Sequence, residues 1–148
     1  MQKSLRSLQI ITAALVAGVV MFAVVSFVIP LDISESMPEF ESIAGFALPM
    51  LALSCGFGYF VIRKQLTQRM KLRIDEEGFD ASTLPPEFMS LTIVGAAMAE
   101  GVALFGVVTH WITGQPVFLI ATVVAVAVML LQIPTEAKVL RFFENLRS

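Results

Sequence analysis

Four long apolar stretches, residues 8–29, 43–62, 91–113 and 117–133, leave this chain of 148 residues little choice of environment. A helix that spans a bilayer needs about 17–25 predominantly apolar residues. The fourth stretch is the shortest and can borrow Gln115 and Pro116. In hydrocarbon, backbone N–H and C=O groups are satisfied only within a helix or a closed barrel, and unbroken apolar runs lack the alternation of barrel strands. Composition agrees, with 57% apolar and 15% charged residues against about 45–50% and about 25% in soluble domains. The expected fold class is an all-α membrane protein, a single integral membrane domain of four transmembrane helices covering residues 1–148.

The placement of charge orients these spans. Lys3 and Arg6 precede the first, Arg63, Lys64, Arg69, Lys71 and Arg73 follow the second, and Lys138, Arg141 and Arg147 follow the fourth, which accounts for all ten basic residues. The connection between the first two spans holds Asp32, Glu35, Glu39 and Glu41 and no basic residue. The positive-inside rule then puts both termini and the central loop, residues 63–90, in the cytoplasm, with the chain multi-pass in the cell (inner) membrane. The first span is longer than a typical secretory h-region of about 7–15 residues and no A-x-A-like site follows it, so it is expected to be a retained helix.

Between the spans, Pro30 closes the first helix, Ser42 is a plausible N-cap for the second, and Pro49 should kink the second or be relieved by a neighbour. "RKQLTQRMKLR" can prolong the second helix beyond the headgroups, and its charge would attract anionic lipid. The cytoplasmic tail, residues 134–148, carries Val139, Phe142, Phe143 and Leu146 at helical spacing. It is expected to form a C-terminal interfacial amphipathic helix, either on the membrane surface or packed against the central loop.

The first and third spans also match each other. "LQIITAALVAGVVMFAVVSFVI" from Leu8 aligns without a gap on "LTIVGAAMAEGVALFGVVTHWI" from Leu91, about half the positions agreeing, among them Gly18 with Gly101 and Phe22 with Phe105. Two duplicated helical hairpins are expected, although the second and fourth spans align poorly. In this register Ala17 stands where Glu100 stands in the second copy.

Glu100 is the one acidic residue near the centre of a span. A charge there costs several kcal/mol, which the surrounding apolar residues offset, and low dielectric favours the neutral acid. Gly95, Ala99, Ala103 and Gly106 form a small-residue stripe with Gly101 beside it, and Ala14 and Gly18 on the first helix offer a complementary surface, as do Ala52 and Gly56 on the second. Such residues let helices approach closely. A buried, neutral Glu100 facing the bundle or a neighbouring subunit is expected, with Thr12 or Ser54 as hydrogen-bond partner. This reading makes the protein a non-enzymatic packing or assembly component.

"GAAMAEGVALFGVV" resembles the carboxylate-bearing helix of rotary ATP synthase c subunits, the proteolipids, in which small residues precede a Glu and an aromatic-Gly pair follows. The resemblance covers about twenty residues, and the chain is also similar to small bacterial four-helix membrane proteins that carry such a helix on its own. It implies that Glu100 is a reversible proton or sodium site in a homo-oligomer or beside other membrane subunits, with Ala99 and Ala103 shaping its packing. The second span departs from that pattern: it keeps only Gly45, Gly56 and Gly58, adds Pro49, and is followed by no Arg-Gln-Pro turn.

Other chemistries find little material. With His110 and Cys55 the only residues of their kinds, there is no nucleophile and base pair, no zinc cluster and no phosphate loop, so no enzyme, metal or cofactor is expected. His110 lies about 15 Å along the axis from Glu100 and cannot share an ion with it; beside Trp111 it marks the outer interface. The few basic residues follow the membrane edge and are balanced by Asp75, Glu76, Glu77 and Asp80, which argues against nucleic acid. Leu53 through Tyr59 to Arg63 fits a cholesterol-contact pattern too loose to define a site.

Overall fold

The computed structural model describes residues 2–29, 38–77 and 85–147. These residues form five helices: α1 (Gln2–Val28), α2 (Pro38–Glu77), α3 (Pro86–Thr113), α4 (Phe118–Gln132) and α5 (Glu136–Arg147). Three of them, α1, α2 and α3, are long and apolar enough to cross a membrane. The outward surfaces of α1 and α2 carry Ile10, Met21, Phe46, Leu53 and Phe57, all exposed, as suits a solvent of lipid tails rather than water.

Several boundaries differ from the sequence expectation. Helix α2 begins at Pro38, so Ser42 lies inside the helix and is not its cap; proline fits a first turn whose N–H groups lack partners anyway. It runs unbroken through Pro49 and on through the basic segment to Glu77, about 60 Å in all. Much of the segment 63–90 is therefore helical rather than loop. Helix α3 closes on Gly114, whose φ of 68° lets its N–H reach the His110 carbonyl at 2.7 Å, a left-handed cap suited to glycine. The acidic residues Asp32 and Glu35, Pro30 and Asp80 lie outside the described residues.

Helix α3 is the axis of the bundle, with α1, α2 and α4 each packed on it while α1 and α2 scarcely touch. Its tightest neighbour is α4. A Cβ on Gly106 would stand 2.6 Å from Thr122 Oγ1 and 2.9 Å from the Phe118 carbonyl oxygen, and Thr122 donates its hydroxyl to the Ala103 carbonyl at 2.9 Å. Helix α1 offers α3 a seam of Leu5, Leu8, Thr12, Val19 and Ser26, the three-four spacing of a helix-packing face. At the far end of α1 the Trp111 indole N–H donates to the Ile29 carbonyl at 2.7 Å, and Phe22 meets the Trp111 ring edge-on.

Two clusters hold the ends. Val19, Ala44, Leu48, Val102 and Phe118 belong to one. The other joins Leu5, Leu8, Met70 and Phe88 to Val139 and Phe143 of α5. Val139 and Phe143 of α5 are thus buried against protein. Helix α4 is short, about 22 Å, and meets α5 at an angle of 76°. It still brings the chain back to its starting end, where Gln9 Nε2 donates to the Pro134 carbonyl at 2.8 Å.

Filling Gly106 should separate α3 from α4. Gly106→Val is expected to lower stability by about 1–3 kcal/mol, read as a fall in melting temperature in detergent, whereas Gly101→Ala, with nothing within 4 Å of the added carbon, should melt like the parent. Equal behaviour of the two variants would contradict this packing. Phe143→Ala should cost about 3–5 kcal/mol if α5 is part of the core; an unchanged melting curve would place α5 elsewhere.

Candidate functional site

Glu100 lies on the edge between the buried and exposed faces of α3. Ala96, Ala103 and Val107 on one side are buried, Ala97 and Gly101 on the other are exposed, and Glu100 itself is half-buried. By helical spacing it shares a face with Ile93 and Trp111. Ile93 packs on the cluster that holds Leu5, Leu8, Met70 and Phe88, and Trp111 meets Ile29 and Phe22.

Neither hydroxyl expected to partner Glu100 does so. Thr12 is buried but donates its hydroxyl to the Leu8 carbonyl, 3.0 Å away within its own helix. Ser54 is on the exposed side of α2. That helix meets α3 at Met98, which packs near Gly58 and is about 200° round the axis from Glu100. The carboxyl makes no hydrogen bond or ion pair among the described residues.

The small residues divide between two surroundings. Gly95, Ala103 and Gly106 are buried and Ala99 half-buried, at the contacts with α2 and α4. Gly101 is exposed beside Glu100, and Ala14 and Gly18 face outward on α1, with nothing within 4 Å of a Cβ on Gly18 or Gly101. Gly95 leaves room for side chains rather than backbone: a Cβ there would be 2.7 Å from Tyr59 Cε2 and 2.8 Å from Gln132 Oε1. His110 meets the Gln115 carbonyl through Nδ1 at 3.1 Å and stacks at a tilt on Phe27.

Tyr59, which the sequence offers only within a loose cholesterol-contact pattern, and Gln132 mark a second feature. A groove of about 280 Å³ opens between α2, α3 and α4, lined by Ala52, Cys55, Tyr59, Gly95, Ala125 and Gln132. Towards the basic end, Tyr59 and Gln132 also line a second cavity of about 210 Å³, together with Arg63, Lys138, Pro134 and Phe142. Gln132 Oε1 is buried without a hydrogen-bond partner among the described residues. The available sequence signal was that Gln132 is, with Thr122, one of two polar side chains in α4. Among the described residues, no group of three or more His, Cys, Asp or Glu side chains could hold a metal ion.

If Glu100 has no partner inside the chain, the isolated protomer does not need it. Glu100→Leu in a detergent-dispersed monomer is expected to melt no lower than the parent, since an apolar side chain replaces an unpaired polar one. A fall worth more than about 1 kcal/mol would reveal an intrachain contact and contradict this placement.

No family model matches this chain, and neither a curated protein nor a solved structure matches it.

Proposed function

We propose that the chain is a non-enzymatic integral membrane protein that assembles with further copies of itself through the α3 edge carrying Glu100. The observation that carries this reading is the half-buried, unpartnered carboxyl beside exposed Ala97 and Gly101. A polar group in hydrocarbon without a partner is costly. A neighbouring helix that approaches over the two small residues supplies backbone or side-chain hydrogen-bond partners to the carboxyl. The chain thereby functions as an assembly component rather than as a self-contained bundle.

Four crossings with both termini in the cytoplasm complete the proposal. They are supported by the return of α4 to the level of Gln9 and Gly95, and by the basic residues at that same end. Helix α5 then seals the cytoplasmic end. The match between the first and third spans supports a duplicated origin for α1 and α3, and the membrane implied is the cell's inner one.

The test uses Gly101→Cys in a Cys55→Ser background, reconstituted in liposomes and oxidised. Copies are expected to cross-link through residue 101. Glu100→Gln should keep that product, because an amide also donates, and Glu100→Leu should weaken association roughly threefold to thirtyfold, the range of one intramembrane hydrogen bond. Monomers only, in the Glu100 parent, would overturn the proposal. A second reading uses the same half-buried, unpaired carboxyl as a proton or sodium site, in keeping with its c-subunit-like surroundings. It is favoured if carbodiimide modification of Glu100 is blocked by sodium or falls with rising pH.

A further inference from the structure

The groove between α2, α3 and α4 and the cavity at the basic end of the molecule adjoin at Tyr59 and Gln132, which line both. The deep part of the groove is walled by Ala52, Cys55, Ala121 and Ala125 and takes an apolar occupant. The cavity has two cations, Arg63 and Lys138, and no acidic residue in its lining. Lys138 Nζ is pinned at the end of α4, donating to the Leu131 carbonyl at 2.8 Å and the Ile133 carbonyl at 3.2 Å, which leaves one of its three protons unused. Arg63 is exposed and makes no hydrogen bond or ion pair among the described residues. At the junction stands Gln132, whose buried amide oxygen has no hydrogen-bond partner among the described residues.

From this sequence of surfaces we infer a binding site for one anionic glycerophospholipid. An acyl chain lies in the apolar groove, the phosphate sits between Arg63 and Lys138, and Gln132 meets the glycerol ester region. An amide turned by 180° presents its NH₂ where the oxygen now lies, and so donates to an ester carbonyl. An anionic lipid uses all three parts at once, whereas a free phosphate would reach the cations but leave the groove empty. Basic pockets between membrane helices at the cytoplasmic side recognise lipid headgroups by this chemistry. The inference goes beyond the Glu100 assembly and does not depend on it, since Met98 and Gly95 face the groove from a different side of α3.

The experiment is native mass spectrometry of the full chain in detergent, titrated separately with phosphatidylglycerol and phosphatidylcholine. One phosphatidylglycerol is expected to bind each protomer more tightly than phosphatidylcholine. Arg63→Gln should weaken phosphatidylglycerol about fivefold, the share of one basic residue at a membrane surface, and leave phosphatidylcholine unchanged. Gln132→Leu should weaken both lipids while leaving the lipid-free protein as stable as before, because no existing hydrogen bond is lost. Gly95→Leu, which fills the junction, should abolish both, and Arg63→Gln, on an exposed side chain, keeps the test decisive if that variant does not fold. Equal binding of the two lipids, indifference to Arg63→Gln, or a groove occupied by a second copy with no lipid bound would each overturn the inference.

Discussion

A side chain at residue 106 would collide with Thr122 Oγ1 and with the Phe118 carbonyl, and the arrangement of the bundle depends on that space staying empty. In lipid, helices do not associate by leaving water; they associate by close packing and a few polar contacts. Here α3 and α4 approach over Gly106, and the Thr122 hydroxyl bonds the Ala103 carbonyl beside it. With α4 seated there, its far end reaches Gly95 and Gln9, and the bend after Gln132 delivers α5 to the core of Leu5, Leu8, Met70 and Phe88. One close approach thereby positions both the groove and its cap.

The same geometry explains why the two candidate sites are separate. Residues of α3 that face α2 and α4, such as Gly95, Met98 and Ala99, line the groove. Glu100, one position on, turns about 100° away to the edge shared with Ile93 and Trp111. Small residues serve both sides but do different things. At Gly95 the missing side chain admits Tyr59 and Gln132 from within the chain, and at Gly101 it leaves an open surface next to an unpaired acid.

How much of this was legible in the sequence depended on polarity contrast. The first three spans stood out because their apolar runs are long, and all became helices that outrun them: α1 starts at Gln2, α3 at Pro86, and α2 continues past Ile62 to Glu77. The extension of α2 was foreshadowed by "RKQLTQRMKLR", yet its use of Met70 as a core residue was not, because a lone Met among charges reads as a solvated helix. Helical face was the hardest property to read. In a helix apolar all round, polarity does not mark the packed side, so Ala14 and Gly18 looked equivalent to the seam that Leu8, Thr12 and Val19 form. Ser54 is a reasonable partner for Glu100 by composition, and its place on the exposed side of α2, a helix that meets α3 away from Glu100, removes it. Gln132 was overlooked because a polar residue at the end of a span reads as a boundary.

The central claim is that the Glu100 edge is covered by another copy in the membrane and open in the isolated chain. Carbodiimide labelling of Glu100, followed by mass spectrometry as the protein is diluted with lipid in a bilayer, tests it most directly. Protection at high protein density that gives way to rapid labelling on dilution is the result expected. Labelling that is equally fast at every density would mean that the edge stays bare, and its absence at every density would mean that the carboxyl is sealed within the single chain; either contradicts the account.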